Sequence, residues 1–177
     1  MTPDAPAGSL DALRVVAHPL RLRLLSLLTG DSFSAAEAAR ALGQTQANVS
    51  YHLRRLAQAG LVELVEHTRV RGGTAKRYRH NPLSGETLIA GNDDATSALL
   101  GTLAGELTRR AAHATGAQLV FTDAEVWVSP DAWIRIHTLT RELGTVVHDE
   151  ARAREAGLVH LAATLAVFPM IVPDNPN

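Results

Sequence analysis

The chain has 177 residues, enough for one ordinary domain or two small ones, and is 46% hydrophobic, enough for a core. It contains no cysteine, which excludes disulfides and thiolate-bound metal and fits a cytoplasmic protein. The net charge of −1 speaks against a nucleic-acid partner, but residues 1–80 carry a net +5 (ten arginines and Lys76 against six acids) and residues 81–177 a net −6 (six arginines against twelve acids), a basic half beside an acidic one.

Residues 1–8 are expected to fray, and they place Asp4 where a secretion signal needs basic residues. Ser9 caps a short helix with Leu10, Leu13 and Val16 on one face. His18-Pro19 breaks it, and proline suits the first position of the next helix, "PLRLRLLSLLTG", with Leu20, Leu24, Leu27 and Leu28 inward. Ser34 and Glu37 have capping-box spacing for "SAAEAARALG", which Gly43 closes. The following helix starts near Thr45 and runs to about Ala59, and two helices joined so tightly form a helix-turn-helix. "LVELVEHT" and "TAKRYRH" around Gly72-Gly73 predict a hairpin carrying Arg69, Arg71, Lys76, Arg77 and Arg79.

Asn81-Pro82 marks a boundary. Ser84 to about Thr115 has helical periodicity that "GNDD" at 91–94 breaks or kinks. "AQLVFTDAEVWVS" predicts one or two strands, Ser129-Pro130-Asp131 starts a helix that stops at Gly157, and "LVHLAATLAVFP" predicts a last strand. The uncharged run from Gly157 to Pro173 is shorter than the roughly 20 residues of a membrane-spanning helix and is better read as a buried strand.

The stretch "QTQANVSYHLRRLAQ" is the most informative. With Val49 at the centre of the inner face and 100° per residue, Leu53 and Leu56 fall within about 40° of it. The outer face then collects Ala47, Tyr51, Arg54, Arg55 and Gln58, with Asn48 on its flank and Gln44, Thr45 and Gln46 at the N-terminal end. A helix entering the DNA major groove, roughly 12 Å wide, needs small residues for close approach, amides and hydroxyls for base edges, and cations for phosphates. Its N-terminus, where Gln44 lies, favours a phosphate. Two adjacent arginines on an isolated helix ordinarily mean a solvated face. The short preceding helix, the tight exit into a hairpin and the hairpin's five cations are not needed for one.

"HPLRLRLLSLL", "SAAEAARALGQTQANVSYHLRRLAQAGLVE" and "RVRGGTAKRYR" resemble the ArsR-like winged helix-turn-helix transcriptional regulators over about residues 10–80. The resemblance implies groove-facing Thr45, Gln46, Asn48, Ser50 and Tyr51, phosphate-facing His52, Arg54 and Arg55, and a wing formed by the hairpin. It also implies a homodimer that reads a near-palindromic operator, usually as a repressor. Metal-sensing members carry a cysteine motif that this chain lacks, and the longer C-terminal half is similar to members with an added dimerisation or effector domain. The expected fold is therefore α+β: a winged helix-turn-helix at 9–82, then a small helix-strand-helix-strand domain at 83–177.

Leu88, Leu99, Leu103 and Leu107, assisted by Leu10 and Leu13, form either internal core or a dimer seam. Phe121, Trp127, Trp133 and Phe168 read first as core, and alternatively as the wall of a pocket for a small-molecule effector. His137, Arg141 and His148 share a helix face, but His137 and His148 are too far apart along it to hold one metal, and neither a metal nor a cofactor is expected. No nucleophile elbow, phosphate loop or zinc-protease motif is present, so no enzymatic activity is expected. Two rival readings stay open: a winged helix used for protein docking, and a ligand- or metal-binding C-terminal half with DNA binding secondary.

Overall fold

A computed structural model describes residues 8–70, 73–81, 84, 93–115 and 119–170; the side chains of 8–11, 67–70 and 73–74 lie outside that description. In chain order the elements are α1 (Gly8–Val16), α2 (Pro19–Gly30), β1 (Phe33–Ser34), α3 (Ala35–Leu42), α4 (Gln46–Gln58), β2 (Val62–Val70), β3 (Gly73–His80), α5 (Asp93–Ala111) and α6 (Pro130–Asp149).

Local chemistry sets most of these boundaries. Proline opens α2, and the His18 ring accepts a hydrogen bond from the Leu20 amide at 3.2 Å. Ser34 and Glu37 make the full capping box of α3. Gly43, at φ 62°, ends α3 in the left-handed region, with Gln44 N–H donating to Ala39 O at 2.9 Å. Gly60, at φ 70°, ends α4 in the same way, with Leu61 N–H donating to Leu56 O and Gly60 N–H to Ala57 O. Both are the paired closing bonds of a glycine-terminated helix, and they make the turns on either side of α4 tight.

The sheet is antiparallel with order β1-β3-β2; Phe33 faces Tyr78 and Val62 faces His80, and the register shifts between Leu64 and Glu66. Leu24, Leu28, Val49, Leu53 and Leu56 are fully buried where α2, α3 and α4 meet, with Leu61 and Val62 closing the sheet side. α5 lies against α1 and α2. It buries Ala95 and Glu106, and Leu99 packs on the same core. The α+β class and the order of the N-terminal helices and hairpin follow the sequence expectation, whereas the two-residue strand β1 before α3 was not expected.

The C-terminal half departs from it. Residues 119–129 and 158–169 form no ladder, and Val120, Trp127 and Val159 are 94%, 86% and 88% exposed. Strand preference depends on a pleated surface to pack against, and one copy of the chain offers these segments none. α6 ends at Asp149, short of Gly157, and has no buried residue. Its end touches the N-terminal half, where the His148 ring lies 5.0 Å from that of His80. Farther on, Arg110 of α5 donates to Ala163 O at 3.1 Å and to Thr164 Oγ1 at 3.2 Å, tethering the last segment.

Two further expectations are corrected. Leu13, only 6% exposed, belongs to the core of its own chain rather than to a seam, as does most of Leu99; Leu103 is half-buried and Leu107 exposed. The Leu10 side chain and the whole of Leu88 lie outside the described residues. The four aromatics form no core: Phe121, Trp127 and Phe168 are exposed and Trp133 half-exposed beside His137. The hollows along α6 are lined instead by residues such as His137, Arg141 and Val146, or His148 and Leu165.

Candidate nucleic-acid interface

The helix α4 is seated by Val49, Leu53 and Leu56, each with no exposed surface. Three aliphatic side chains at that spacing turn the opposite face outward. Gln44, Thr45, Gln46, Ala47, Asn48, Tyr51, Arg54, Arg55 and Gln58 are all exposed, and Ser50 is half-exposed at the edge. Thr45 is the N-cap, its hydroxyl accepting from the Asn48 amide at 3.3 Å. The Asn48 side-chain amide donates to Gln44 Oε1 at 3.1 Å, so the two amides at the helix entrance are held together. Arg54 leans back on Ser50 O at 3.3 Å. Among the described residues no carboxylate pairs with Arg54 or Arg55.

His52 does not share that face. Its ring is 6% exposed, 4.6 Å from the His18 ring and edge-on to Tyr51 at 5.2 Å. Burial, then the charges of His18 and Arg21, lower its pKa. A neutral ring so placed is not an outer-face phosphate ligand, which corrects the role that the family resemblance implied. The wheel held the signal: His52 sits about 60° from Val49, nearer the buried arc than the outer one.

The wing cations divide as well. Lys76 and Arg79 are exposed on β3. Arg77 points into the scaffold, where its Nη1 meets Glu37 Oε2 at 2.7 Å, its Nε donates to Ser32 Oγ at 3.3 Å, and Glu66 lies at 3.9 Å. Hydrogen bonding from the Ser34 amide, opposed by burial and joined by Arg77, pulls the Glu37 carboxyl down to about 2. The Arg77 charge is thus committed to the cap of α3, which removes it from the expected phosphate set. Arg69 lies in β2 opposite Thr74, its side chain undescribed, and Arg71 lies outside the described residues.

The sequence reading did not single out Arg21, whose pKa is lowered by burial first and by the charge of Arg55 second, with Tyr51 opposing. Elsewhere, no three histidine, aspartate or glutamate side chains converge among the described residues, and no described helix is long and apolar enough to cross a membrane.

Residues 16–65 match a helix-turn-helix domain family. A solved possible transcriptional regulator for arsenical resistance is 31% identical, the match covering 60% of this chain and 98% of that one, at a TM-score of 0.40. Reduced HlyU from Vibrio cholerae is 21% identical over 59% of this chain and 88% of that one, at a TM-score of 0.37. A protein with a GntR superfamily winged-helix-turn-helix domain from Halomicrobium mukohataei is 22% identical over 70% and 85%, at 0.38. Superpositions at these scores carry no argument on their own; the sequence identity to the first does. No curated protein matches the chain.

Proposed function

The chain belongs to the ArsR-like winged helix-turn-helix regulators through its N-terminal half, and from that membership we propose that it is a dimeric, sequence-specific DNA-binding repressor of the cytoplasm. One observation carries the reading: α4 presents amides, hydroxyls and guanidiniums that no carboxylate meets among the described residues, all on one exposed face seated by three buried aliphatic side chains. In this reading Thr45, Gln46, Asn48, Ser50 and Tyr51 meet base edges. Gln44, Arg54 and Arg55 take phosphates with Lys76, Arg79, Arg69 and Arg71.

A near-palindromic operator needs two such helices about one DNA turn, roughly 34 Å, apart. The C-terminal half supplies the surface that joins the copies. Leu119, Val120, Phe121, Trp127, Val159 and Leu161 are all largely exposed in the single chain, more apolar surface than a monomer ordinarily leaves in water. A second copy gives the two extended segments the strand partners they lack. That half is also where a small-molecule effector would act, by changing the spacing of the two recognition helices.

The test is selection of bound fragments from the source genome, followed by gel retardation of a recovered duplex in moderate salt. The expected result is saturable binding by a dimer, with one enriched inverted repeat. Absence of saturable retardation would favour the protein-docking alternative and end the DNA reading.

A further inference from the structure

The helix α6 runs from Pro130 to Asp149 without one buried residue. Isoleucine, threonine and valine recur along it and Gly144 sits in its interior, all weaker helix formers than alanine or leucine. A helix of that composition is held by packing rather than by propensity. The chain's own last segment supplies one side of the packing: a hollow is lined by Thr140, Gly144 and Val147 of α6 and by Ala163 and Leu165 across from them. About 100° further round the helix runs a second stripe, Ile136, Leu139, Leu143 and Val146. All four side chains are exposed, Leu139, Leu143 and Val146 by half or more.

The steps of three, four and three residues are those of the two seam positions of a coiled coil, and they keep the stripe within an arc of about 80°. Ile134, also exposed, lies off it. So narrow an apolar face fits a second helix, whereas a helix lying on a membrane carries a broader one edged by cations. Here the outer flank holds Arg135, Glu142 and Asp149, seven residues apart and all exposed. A positive charge at one end and a negative one at the other make this flank complementary to itself, provided that the second helix runs the opposite way. A self-complementary surface is the mark of a two-fold contact between identical chains.

We propose that α6 pairs antiparallel with α6 of a second copy of the chain through Ile136, Leu139, Leu143 and Val146, with Arg135 of each copy against Asp149 of the other. The proposal rests on the dimeric reading above and names its seam. Ile136 then packs on the partner's Val146, and Leu139 on the partner's Leu143. The two-fold axis passes near Glu142, so two carboxylates approach there, a cost that the ion pairs at both ends offset. A parallel pair would set Arg135 against the partner's Thr140 and Glu142 against the partner's Val147, with no charge matched. Four side chains fall short of the roughly 800 Å² per partner of a standard interface. The antiparallel pair puts the last segments of both copies on its other flank, where the exposed Val159 and Leu161 extend the contact.

Sedimentation equilibrium of the full chain, without DNA, measures the dimer constant. Leu143→Glu is expected to weaken the dimer at least roughly tenfold, because the charge would be buried in the seam without a partner. Arg135→Glu and Asp149→Arg probe the same contact without touching its apolar residues. Each alone should weaken the dimer roughly two- to thirtyfold, and the two together should restore it, which a loss of folding would not do. Because the chain has no cysteine, single cysteines report the orientation. With a short bismaleimide, Glu142→Cys should cross-link to itself, Arg135→Cys alone should not, and a mixture of Arg135→Cys with Asp149→Cys should cross-link between copies. Cross-linking of Arg135→Cys to itself would mean a parallel pair and overturn the proposal. An unchanged dimer constant in Leu143→Glu would overturn the seam while leaving the dimer to the extended segments. A wild-type chain that stays monomeric at every concentration would remove the seam and the dimeric reading together and leave the stripe to a different protein.

Discussion

Thr29 holds His80 in one tautomer. The Thr29 hydroxyl donates to Leu25 O at 2.9 Å, so toward the imidazole Nδ1, 3.0 Å away, it can only accept. Nδ1 therefore carries the proton, and Nε2 is left to accept from the Ser84 hydroxyl at 3.1 Å. A ring that donates on one side and accepts on the other is neutral, and protonating Nε2 would destroy the second bond. His80 is also the last residue of the wing, and it meets His148 at the end of α6.

Stability is expected to fall in mild acid through this residue. Burial first, and the charge of His148 second, pull the His80 pKa from 6.5 to about 4. Above pH 6.5 the ring is neutral folded and unfolded. Below it the unfolded chain takes up a proton that the native ring refuses, so stability drains away as the pH falls from 6.5 toward 4. Linkage limits the loss to about 3 kcal/mol. Urea unfolding at a series of pH values measures it. Burial also lowers the pKa of His18 and His52, so the informative quantity is the difference from His80→Gln. That variant should start less stable at neutral pH and show a flatter profile; an equally steep profile would assign the acid sensitivity to the other two rings.

Glu106 is expected to be the costliest single charge to remove. It is 2% exposed and holds Arg23 of α2 at 2.8 Å and Arg109 of its own helix at 2.7 Å. Burial alone would raise its pKa, but the hydrogen bonds from Arg109 and Arg23, with their charges, outweigh this and hold it below the usual carboxylate range. Its contribution is present above that range and lost as the pH falls through the lowered value. Glu106→Gln keeps the shape but leaves two guanidiniums without a counter-charge. A loss of about 1–3 kcal/mol is expected, at the lower end because both arginines reach water. Loosening should appear first as faster hydrogen exchange in α5; a uniform change across the N-terminal core would mean that α5 is not docked through this carboxylate.

What could be read in advance follows the range of the forces involved. The Ser34–Glu37 cap, the Gly43 turn and the Val49–Leu53–Leu56 stripe are set by residues within two helical turns, and they stand as the spacing implied. Which cation on β3 stays free is a long-range matter. Lys76, Arg77 and Arg79 look alike in sequence, and only the approach of Glu37, forty residues earlier, separates Arg77 from its neighbours. The segments around Val120 and Val159 have strand composition but no strand partner in one chain, and composition does not say which chain supplies the partner. His52 was hidden differently: a motif placed it outward while its own helical angle placed it inward.

Gly30 is expected to resist even alanine. A Cβ there would lie 2.7 Å from Arg152 O and 3.2 Å from Arg152 C, and both are backbone atoms that cannot rotate away. Alanine would improve the helical propensity of α2 by at most about 1 kcal/mol, so the global melting temperature should change little. The local consequence should be larger, because the segment after α6 must lift off α2. Limited trypsinolysis reports it: cleavage after Arg152 and Arg154 should speed up several-fold in Gly30→Ala. Unchanged cleavage would mean that this segment does not rest on α2 in solution.

Base reading and phosphate binding by α4 should separate under mutation, since they draw on different side chains. Asn48, tied to Gln44 at the helix entrance, carries no charge, whereas Arg54 and Arg55 offer charge without an ordered base-edge geometry. Asn48→Ala should therefore cost about 1–3 kcal/mol on the selected duplex, leave binding to random DNA and the salt slope as they were, and relax preference at one or two base pairs. Arg54→Ala should weaken the selected and the random duplex alike and lower the slope by about 0.9 for each phosphate released. Competition anisotropy with both duplexes at two salt concentrations measures the two effects together. If Asn48→Ala and Arg54→Ala shift selected and random binding by the same factor, the outer face of α4 is an electrostatic surface rather than a reader of sequence.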